Sequence, residues 1–219
     1  MPRVGVVLAG CGAQDGSEIH ESVLTLLSLD RKGAKVKIMA PEIDQFHVVN
    51  HLSNHKMDAT RNILSEAARI ARGNILPIRS INNNDLDALI FPGGTGMAKN
   101  IFNYAIKGPD FTVLKDVESL TRYMIQKNKP IGAICIAPVM IAKILQNLDR
   151  KGKVTGGFNE QILTDIESMG MITEKVNATE IVIDYENKIV STPAYVEANS
   201  IKEVAEGIEK LVDAVLSMV

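Results

Sequence analysis

Short apolar runs alternate along this chain with longer stretches whose apolar positions recur every three or four residues. Val4 to Ala9 (VGVVLA) is a continuous apolar run, the pattern of a strand buried on both faces. A glycine-rich turn follows, from Gly10 to Gly16. Ser17 can cap a helix whose apolar positions are Ile19, Val23, Leu26 and Leu27, and Gly33 stops it. Val36 to Ala40 reads as a second strand ended by Pro41, and residues 41 to 58 are polar and irregular. Thr60 to Arg72 predicts a helix, and Ile75 to Ile78 a strand interrupted by Pro77. Leu86 to Phe91 is a strong strand that runs into Pro92-Gly93-Gly94. Helical patterns fill much of 95 to 128, then come a strand from Pro130 to Ile134 and a helix from Ile136 to Leu148.

Lys151 to Gly157 reads as a loop. Glu180 to Asp184 and Lys188 to Thr192 flank Tyr185-Glu186-Asn187, the pattern of a β-hairpin. Ile201, Val204, Ala205, Ile208, Leu211, Val212 and Val215 share one face of a last helix. Strand–helix alternation of this kind predicts an α/β fold with a mostly parallel sheet flanked by helices. No linker or internal repeat divides residues 1–219, so a single domain is expected.

Composition narrows the choice of partners. With 24 Lys and Arg against 26 Asp and Glu, the net charge is −2. No basic footprint for nucleic acid follows from that balance. No run approaches the roughly 18 apolar residues that a membrane helix needs. The start, Met1-Pro2-Arg3-Val4, enters a strand without a secretory segment, so a cytoplasmic setting is expected. Two cysteines, Cys11 and Cys135, are too few for a disulfide scaffold and point to a reducing compartment. Aromatic residues make up 4% and Trp is absent, so the core must rest on aliphatic side chains and Met.

The strongest chemical signal is Ala133-Ile134-Cys135-Ile136-Ala137-Pro138, a short strand, a cysteine and a helix start. A nucleophile elbow needs small residues two positions before and after the nucleophile, because larger side chains clash in so tight a turn. Ala133 and Ala137 meet that need, and Pro138 suits a first helical turn. At a helix N-terminus Cys135 would be favoured as thiolate. The same residues also suit a buried structural cysteine. Pro92-Gly93-Gly94-Thr95-Gly96 lets backbone approach a ligand and can aim N–H groups at a developing oxyanion, or simply make a tight turn. In Gly10-Cys11-Gly12-Ala13-Gln14-Asp15-Gly16 the third glycine comes one residue late for the dinucleotide fingerprint. Glu18 and Glu21 follow it, as dipole-complementing surface groups or as a proton shuttle for Cys135. His47, His51 and His55 are spaced by four, but no Cys or paired carboxylate joins them into a metal set.

Taken together, Gly5-Val-Val-Leu-Ala-Gly-Cys-Gly12, Asp15-Gly-Ser-Glu-Ile-His-Glu21, Pro92-Gly-Gly94, Cys135-Ile-Ala-Pro138 and Ser191-Thr-Pro-Ala-Tyr195 resemble the glyoxalase ElbB family. That family is also labelled sigma cross-reacting or enhancing-lycopene-biosynthesis protein. More distantly the chain resembles the PfpI-type superfamily and the class I glutamine amidotransferases. The resemblance implies a flavodoxin-like three-layer sandwich with an added β-hairpin near 180–192, and a homodimer. It implies that Cys135 is the elbow nucleophile. It implies further that backbone N–H groups of Gly94 and Ile136, with Gly93 beside them, line an oxyanion hole, and that Glu18 or Glu21 is the acidic partner of Cys135. Cys11 and Gly12 are expected to line the same pocket.

The chain departs from that superfamily where a histidine commonly follows the nucleophile; Ile136 stands there, and the region after the elbow helix reads Val154-Thr155-Gly156-Gly157. His20 sits beside Glu21, but adjacent helical positions point about 100° apart, so both cannot face Cys135 equally. The activity implied is a cofactor-independent glyoxalase, a hydro-lyase that turns a small dicarbonyl such as glyoxal or methylglyoxal into a 2-hydroxy acid without metal, nicotinamide or glutathione. Two other readings use the same pocket: a thiol that senses oxidation, through a transient Cys11–Cys135 disulfide, or a stress or partner protein in which the pocket is idle.

Overall fold

The computed structural model describes residues 1–219. In chain order, β1 (Arg3–Val7) leads through the glycine loop to α1 (Ile19–Arg31) and β2 (Lys35–Ala40). A small hairpin of β3 (Val48–Asn50) and β4 (His55–Met57) precedes α2 (Ile63–Ile70) and β5 (Leu76–Pro77). β6 (Ala88–Phe91) is followed by two single-turn helices, α3 (Met97–Asn100) and α4 (Tyr104–Lys107), and then by α5 (Lys115–Gln126). β7 (Ile131–Ile134) runs into α6 (Ala137–Gln146). The rest comprises β8 (Lys153–Val154), α7 (Glu160–Ser168), β9 (Ile172–Thr173), β10 (Val182–Asp184), β11 (Ile189–Thr192) and α8 (Ile201–Ser217).

The main sheet has the order β10-β11-β7-β6-β1-β2-β5, parallel except for β10 at one edge. Successive side chains of a strand point to opposite faces, and both faces here are covered. Val4, Val6, Ala88 and Ile90 pack with α1, α2 and α8 on one side, whereas Val7, Leu89, Phe91 and Ile131 pack with α5, α6 and α7 on the other. Double coverage explains why β1, β6 and β7 read as continuous apolar runs and not as alternating ones. The result is the mostly parallel, helix-flanked sheet that the strand–helix alternation predicted, in the flavodoxin-like three-layer form that the resemblance implied.

The hairpin near 180–192 is present as β10 and β11: β11 is one of the parallel strands of the main sheet, paired with β7, and β10 is its antiparallel edge. The helical patterns of 95 to 128 are the three helices α3, α4 and α5, broken where Gly108 takes a positive φ of 55° and Pro109 follows it. Other local expectations need correction. The segment expected as a loop at 151–157 contains β8, which pairs with β9. Within 41–58 a β3–β4 hairpin forms. α1 is capped by Glu18, whose side chain accepts from the Glu21 N–H at 2.7 Å, and not by Ser17, whose Oγ is buried and accepts from Ala9 N–H at 2.8 Å.

α1 also turns a different face inward. Ile19, Val23 and Leu27 are exposed, and the helix buries Glu21, Ser22, Thr25, Ser28 and Leu29. Small hydroxyl residues allow close approach to the sheet and to α8. Their polarity is satisfied within the helix, since Ser22 Oγ donates to the Glu18 carbonyl and Thr25 Oγ1 to the Glu21 carbonyl. That rotation puts Glu21 inside the protein.

Candidate active site

The carboxyl ends of β1, β6, β7 and β11 bring four loops together, as is usual for ligand sites in open α/β sheets. Two of these loops touch through backbone alone. Gly96 N–H donates to the Ala13 carbonyl, and Glu18 N–H to the Gly93 carbonyl. A Cβ added at Gly96 would lie 1.8 Å from Gly16 N. The glycine clusters at 10–16 and 93–96 are therefore two faces of one close contact.

Cys135 sits at the β7–α6 bend with φ 61°, a left-handed conformation that non-glycine residues rarely adopt. Its N–H donates to the Thr192 carbonyl, so β11 holds the bend in place. Ala133 and Ala137 on either side are fully buried. The bend presents the sulfur to a cavity of about 360 Å³ lined by Thr95, Tyr104, Ile136, Asn159, Ile162 and Tyr195, among others. The backbone N–H groups of Gly94 and Ile136 face the sulfur and favour its ionised form. Burial and the charge of Glu21 oppose them and win, pushing the Cys135 thiol up. The expectation of a preformed thiolate is thereby corrected: the helix end is present, but it is outweighed by a buried carboxylate beside it.

Glu21 is 0% exposed and is the hydrogen-bonding partner of the Cys135 thiol. Its Oε2 accepts from Gly93 N–H at 2.8 Å and its Oε1 from Tyr195 N–H at 3.4 Å. Burial first, and then the charge of Glu18, raise its pKa to about 7. Of the two acidic candidates, the structure puts Glu21 against the sulfur and uses Glu18 as the half-buried helix cap.

Gly93 does not stand among the N–H groups that face the sulfur, because its N–H is taken by Glu21. Its role is one of space. A methyl group there would lie 2.5 Å from Cys135 Cβ and 2.9 Å from Glu21 Oε2.

Cys11 and Gly12 do not line the cavity. A Cβ on Gly12 would meet Asp15 Oδ1 and the His51 ring instead. Cys11 is half-buried among Glu66, Arg69, Asp15 and Arg61, and burial raises its thiol too. The three histidines do not converge either. His51 lies 3.7 Å from Asp15 Oδ1, His47 lies 3.1 Å from Lys99 Nζ, and His55 is exposed on β4. No group of three metal-binding side chains is gathered anywhere in the chain.

Two cavity residues, Tyr104 and Asn159, escaped the reading of motifs, and a third, Tyr195, stood in one without a role. Tyr104 donates to Asp165 Oδ2, tying α4 to α7 across the cavity wall. Asn159 caps α7 and stands at the rim. Tyr195 follows β11 and is hydrogen-bonded through its Oη to His20 Nδ1 at 2.7 Å. No spacing rule marks them, because they come from separate loops that only the fold assembles.

Known proteins share this whole arrangement of chain. The human protein named glutamine amidotransferase-like class 1 domain-containing protein 3, mitochondrial, is 38% identical over 99% of this chain and 83% of its own length. The ES1 protein, mitochondrial, of Danio rerio is 31% identical over 88% of this chain and 76% of its own. Their names place those two proteins in mitochondria, which does not fit a plain cytoplasmic expectation. No helix here is long and apolar enough to cross a membrane. Among solved structures, the isoprenoid biosynthesis protein with amidotransferase-like domain from Ehrlichia chaffeensis has a TM-score of 0.91 at 35% identity, covering 99% of this chain and 100% of that one. Glyoxalase III from Candida albicans has a TM-score of 0.61 at 13% identity, over 99% and 97%, which is a likeness of fold alone. The DJ-1/PfpI family model matches residues 7–192, and with these relatives it shows that the chain belongs to the DJ-1/PfpI family.

Proposed function

We propose that this chain is a cofactor-independent glyoxalase of the ElbB type, converting glyoxal or methylglyoxal to the corresponding 2-hydroxy acid. The observation that carries the reading is the buried Glu21–Cys135 pair at the edge of a small cavity, with the N–H groups of Gly94 and Ile136 directed at the same point. Fold likeness to a glyoxalase III adds architecture and no chemistry.

The reaction is an internal redox exchange followed by hydrolysis. The Cys135 thiol adds to one aldehyde carbon, and its proton passes by way of Glu21 to the new oxygen, giving a hemithioacetal. The N–H groups of Gly94 and Ile136 hold that oxygen while it carries charge. Glu21 carboxylate then takes the proton from the same carbon and returns it to the neighbouring carbon. The first carbon is oxidised to a thioester and the second reduced to an alcohol, so no external oxidant or reductant is needed. Water hydrolyses the thioester and restores the thiol.

A base of this kind works best with a pKa near the working pH. Glu21, raised to about 7, meets that condition where an exposed carboxylate would not. The raised thiol opposes the oxidation-sensor reading, because a sensor needs an ionised and accessible sulfur.

The test is to incubate the purified chain with glyoxal and measure glycolate. Cys135→Ser is expected to abolish turnover while circular dichroism and melting stay near wild type. In the wild type, kcat/KM is expected to rise with pH through about 7, as the pair loses its first proton. Turnover by Cys135→Ser at the wild-type rate would reject the assignment.

A further inference from the structure

The reaction leaves one group unassigned. When Glu21 removes the proton from the first carbon, the electrons move onto the oxygen of the second carbonyl. The N–H groups of Gly94 and Ile136 serve the first oxygen, and Gly93 N–H is engaged by Glu21. No histidine follows Cys135, and none stands in 154–157. A donor for the second oxygen must come from another wall of the cavity.

Resting on the glyoxalase reading, we propose that the Tyr195 phenol is that donor and that His20 positions it. Tyr195 and Cys135 line the same cavity. The residue is fixed at both ends: its Oη lies 2.7 Å from His20 Nδ1, and its backbone N–H donates to Glu21 Oε1 at 3.4 Å. The residue before it, Ala194, is fully buried and held at φ 45°, so the loop adopts a conformation unfavourable for alanine in order to place Tyr195 there. Tyr195 thus meets the carboxylate that moves the proton through its backbone N–H and an imidazole that reaches solvent through its phenol, His20 itself being exposed.

The protons balance. The transfer requires the His20 tautomer that carries its hydrogen on Nδ1; that N–H then donates to the phenol oxygen and leaves the phenol hydrogen free for the ligand. As Glu21 takes the carbon-bound proton, the Tyr195 phenol gives its proton to the second oxygen, forming an enediol bound through sulfur. The Nδ1–H of His20 stabilises the phenolate that results. Glu21 then protonates the second carbon, and the hydroxyl proton on the first oxygen returns to the phenolate as the thioester forms. Burial and the charges of Glu18 and Glu21 push the phenol up, so it enters the cycle protonated. Tyr195 is then a catalytic residue, and His20 a positioning one.

The test uses the full chain with glyoxal. Tyr195→Phe, which keeps the ring and removes only the hydroxyl, is expected to lower kcat about 10²-fold, the range for loss of one positioned acid. KM should change by less than about threefold, because the lost bond forms with the charge that develops during reaction. Alkylation of Cys135 by iodoacetamide should be unchanged, which shows the Glu21–Cys135 pair intact. His20→Ala is expected to lower kcat about tenfold, and His20→Asn, whose amide can occupy the Nδ1 position, to restore part of the loss. Wild-type kcat in Tyr195→Phe would overturn the proposal and leave the glyoxalase reading standing. If the wild type itself makes no glycolate, the glyoxalase reading fails separately. Exchange of the carbon-bound hydrogen of glyoxal held on Cys135 for deuterium in D2O, read by intact mass, then decides the phenol's part: slower exchange in Tyr195→Phe supports it, and equal exchange overturns it.

Discussion

A carboxyl group without solvent contact ionises only against a desolvation cost, and at Glu21 that cost, joined by the charge of Glu18 and opposed by three hydrogen bonds, raises the pKa from 4.5 to about 7. The shift is also a statement about stability. Below pH 4.5 the group is protonated in both the folded and the unfolded chain, and the folded state has its full advantage. As the pH rises through 4.5 the unfolded chain ionises freely while the folded one still holds its proton. Stability contributed by this residue therefore falls from pH 4.5 until about pH 7, and is flat beyond. The shift is equivalent to about 3 kcal/mol at 1.36 kcal/mol per unit. Glu21→Gln removes the titration, and the drop in unfolding free energy between pH 4.5 and pH 8, measured with urea, is expected to shrink by about that amount. An unchanged pH slope would show that another group carries it. The residue that the proposed chemistry depends on most thus also costs the native state stability at neutral pH, a pattern common at functional sites.

At the scale of elements, α8 and α1 make a useful contrast, because they pack against each other in the same layer. Seven apolar positions in α8 recur at helical spacing, and Val204, Ile208, Leu211, Val212 and Val215 are fully buried. Its start is held by a reciprocal cap: Ser200 Oγ accepts from Glu203 N–H, and Glu203 Oε2 accepts from Ser200 N–H. Ser200→Ala is expected to cost about 1 kcal/mol, seen as a lower urea midpoint with an unchanged slope. In α1 the apolar row Ile19, Val23 and Leu27 points outward, and its buried face is Glu21, Ser22, Thr25 and Ser28. Hydrophobic periodicity assumes that burial is driven by apolar side chains. Where close approach and a functional carboxylate set the orientation, the assumption fails.

On the scale of the whole molecule, strand order decides which loops can meet. Both cysteines follow strands whose carboxyl ends lie on one edge of the sheet, but β6 runs between β1 and β7. At about 4.8 Å between neighbours, those two strands are about 10 Å apart, beyond the span a disulfide bridges without backbone movement. The electrostatic surroundings agree, since Cys11 answers to Glu66 and Arg69 and Cys135 to Glu21. Treatment with peroxide followed by non-reducing mass spectrometry is therefore expected to show no Cys11–Cys135 bridge, and Cys11→Ser to keep glyoxal turnover within about twofold of wild type. A bridged species would mean that the loops move substantially in solution. The same strand order brings Pro92–Gly96 beside Asp15–Glu21, so that the β6 loop can hold Glu21 by its backbone.

The amino-acid sequence on its own determined the layered α/β architecture and the small-residue bend at Cys135. These are local properties: a doubly buried strand must be apolar throughout, and a tight bend must have small neighbours, wherever the rest of the chain goes. Only the tertiary structure decided between Glu18 and Glu21, moved Cys11 and Gly12 out of the cavity, gave Gly93 to the carboxylate, and brought Tyr195 and His20 together across 175 positions of chain. Those outcomes depend on which face a helix turns inward and on which strands are neighbours. Both are settled by the fit of all the layers at once, a property that no single stretch of residues encodes.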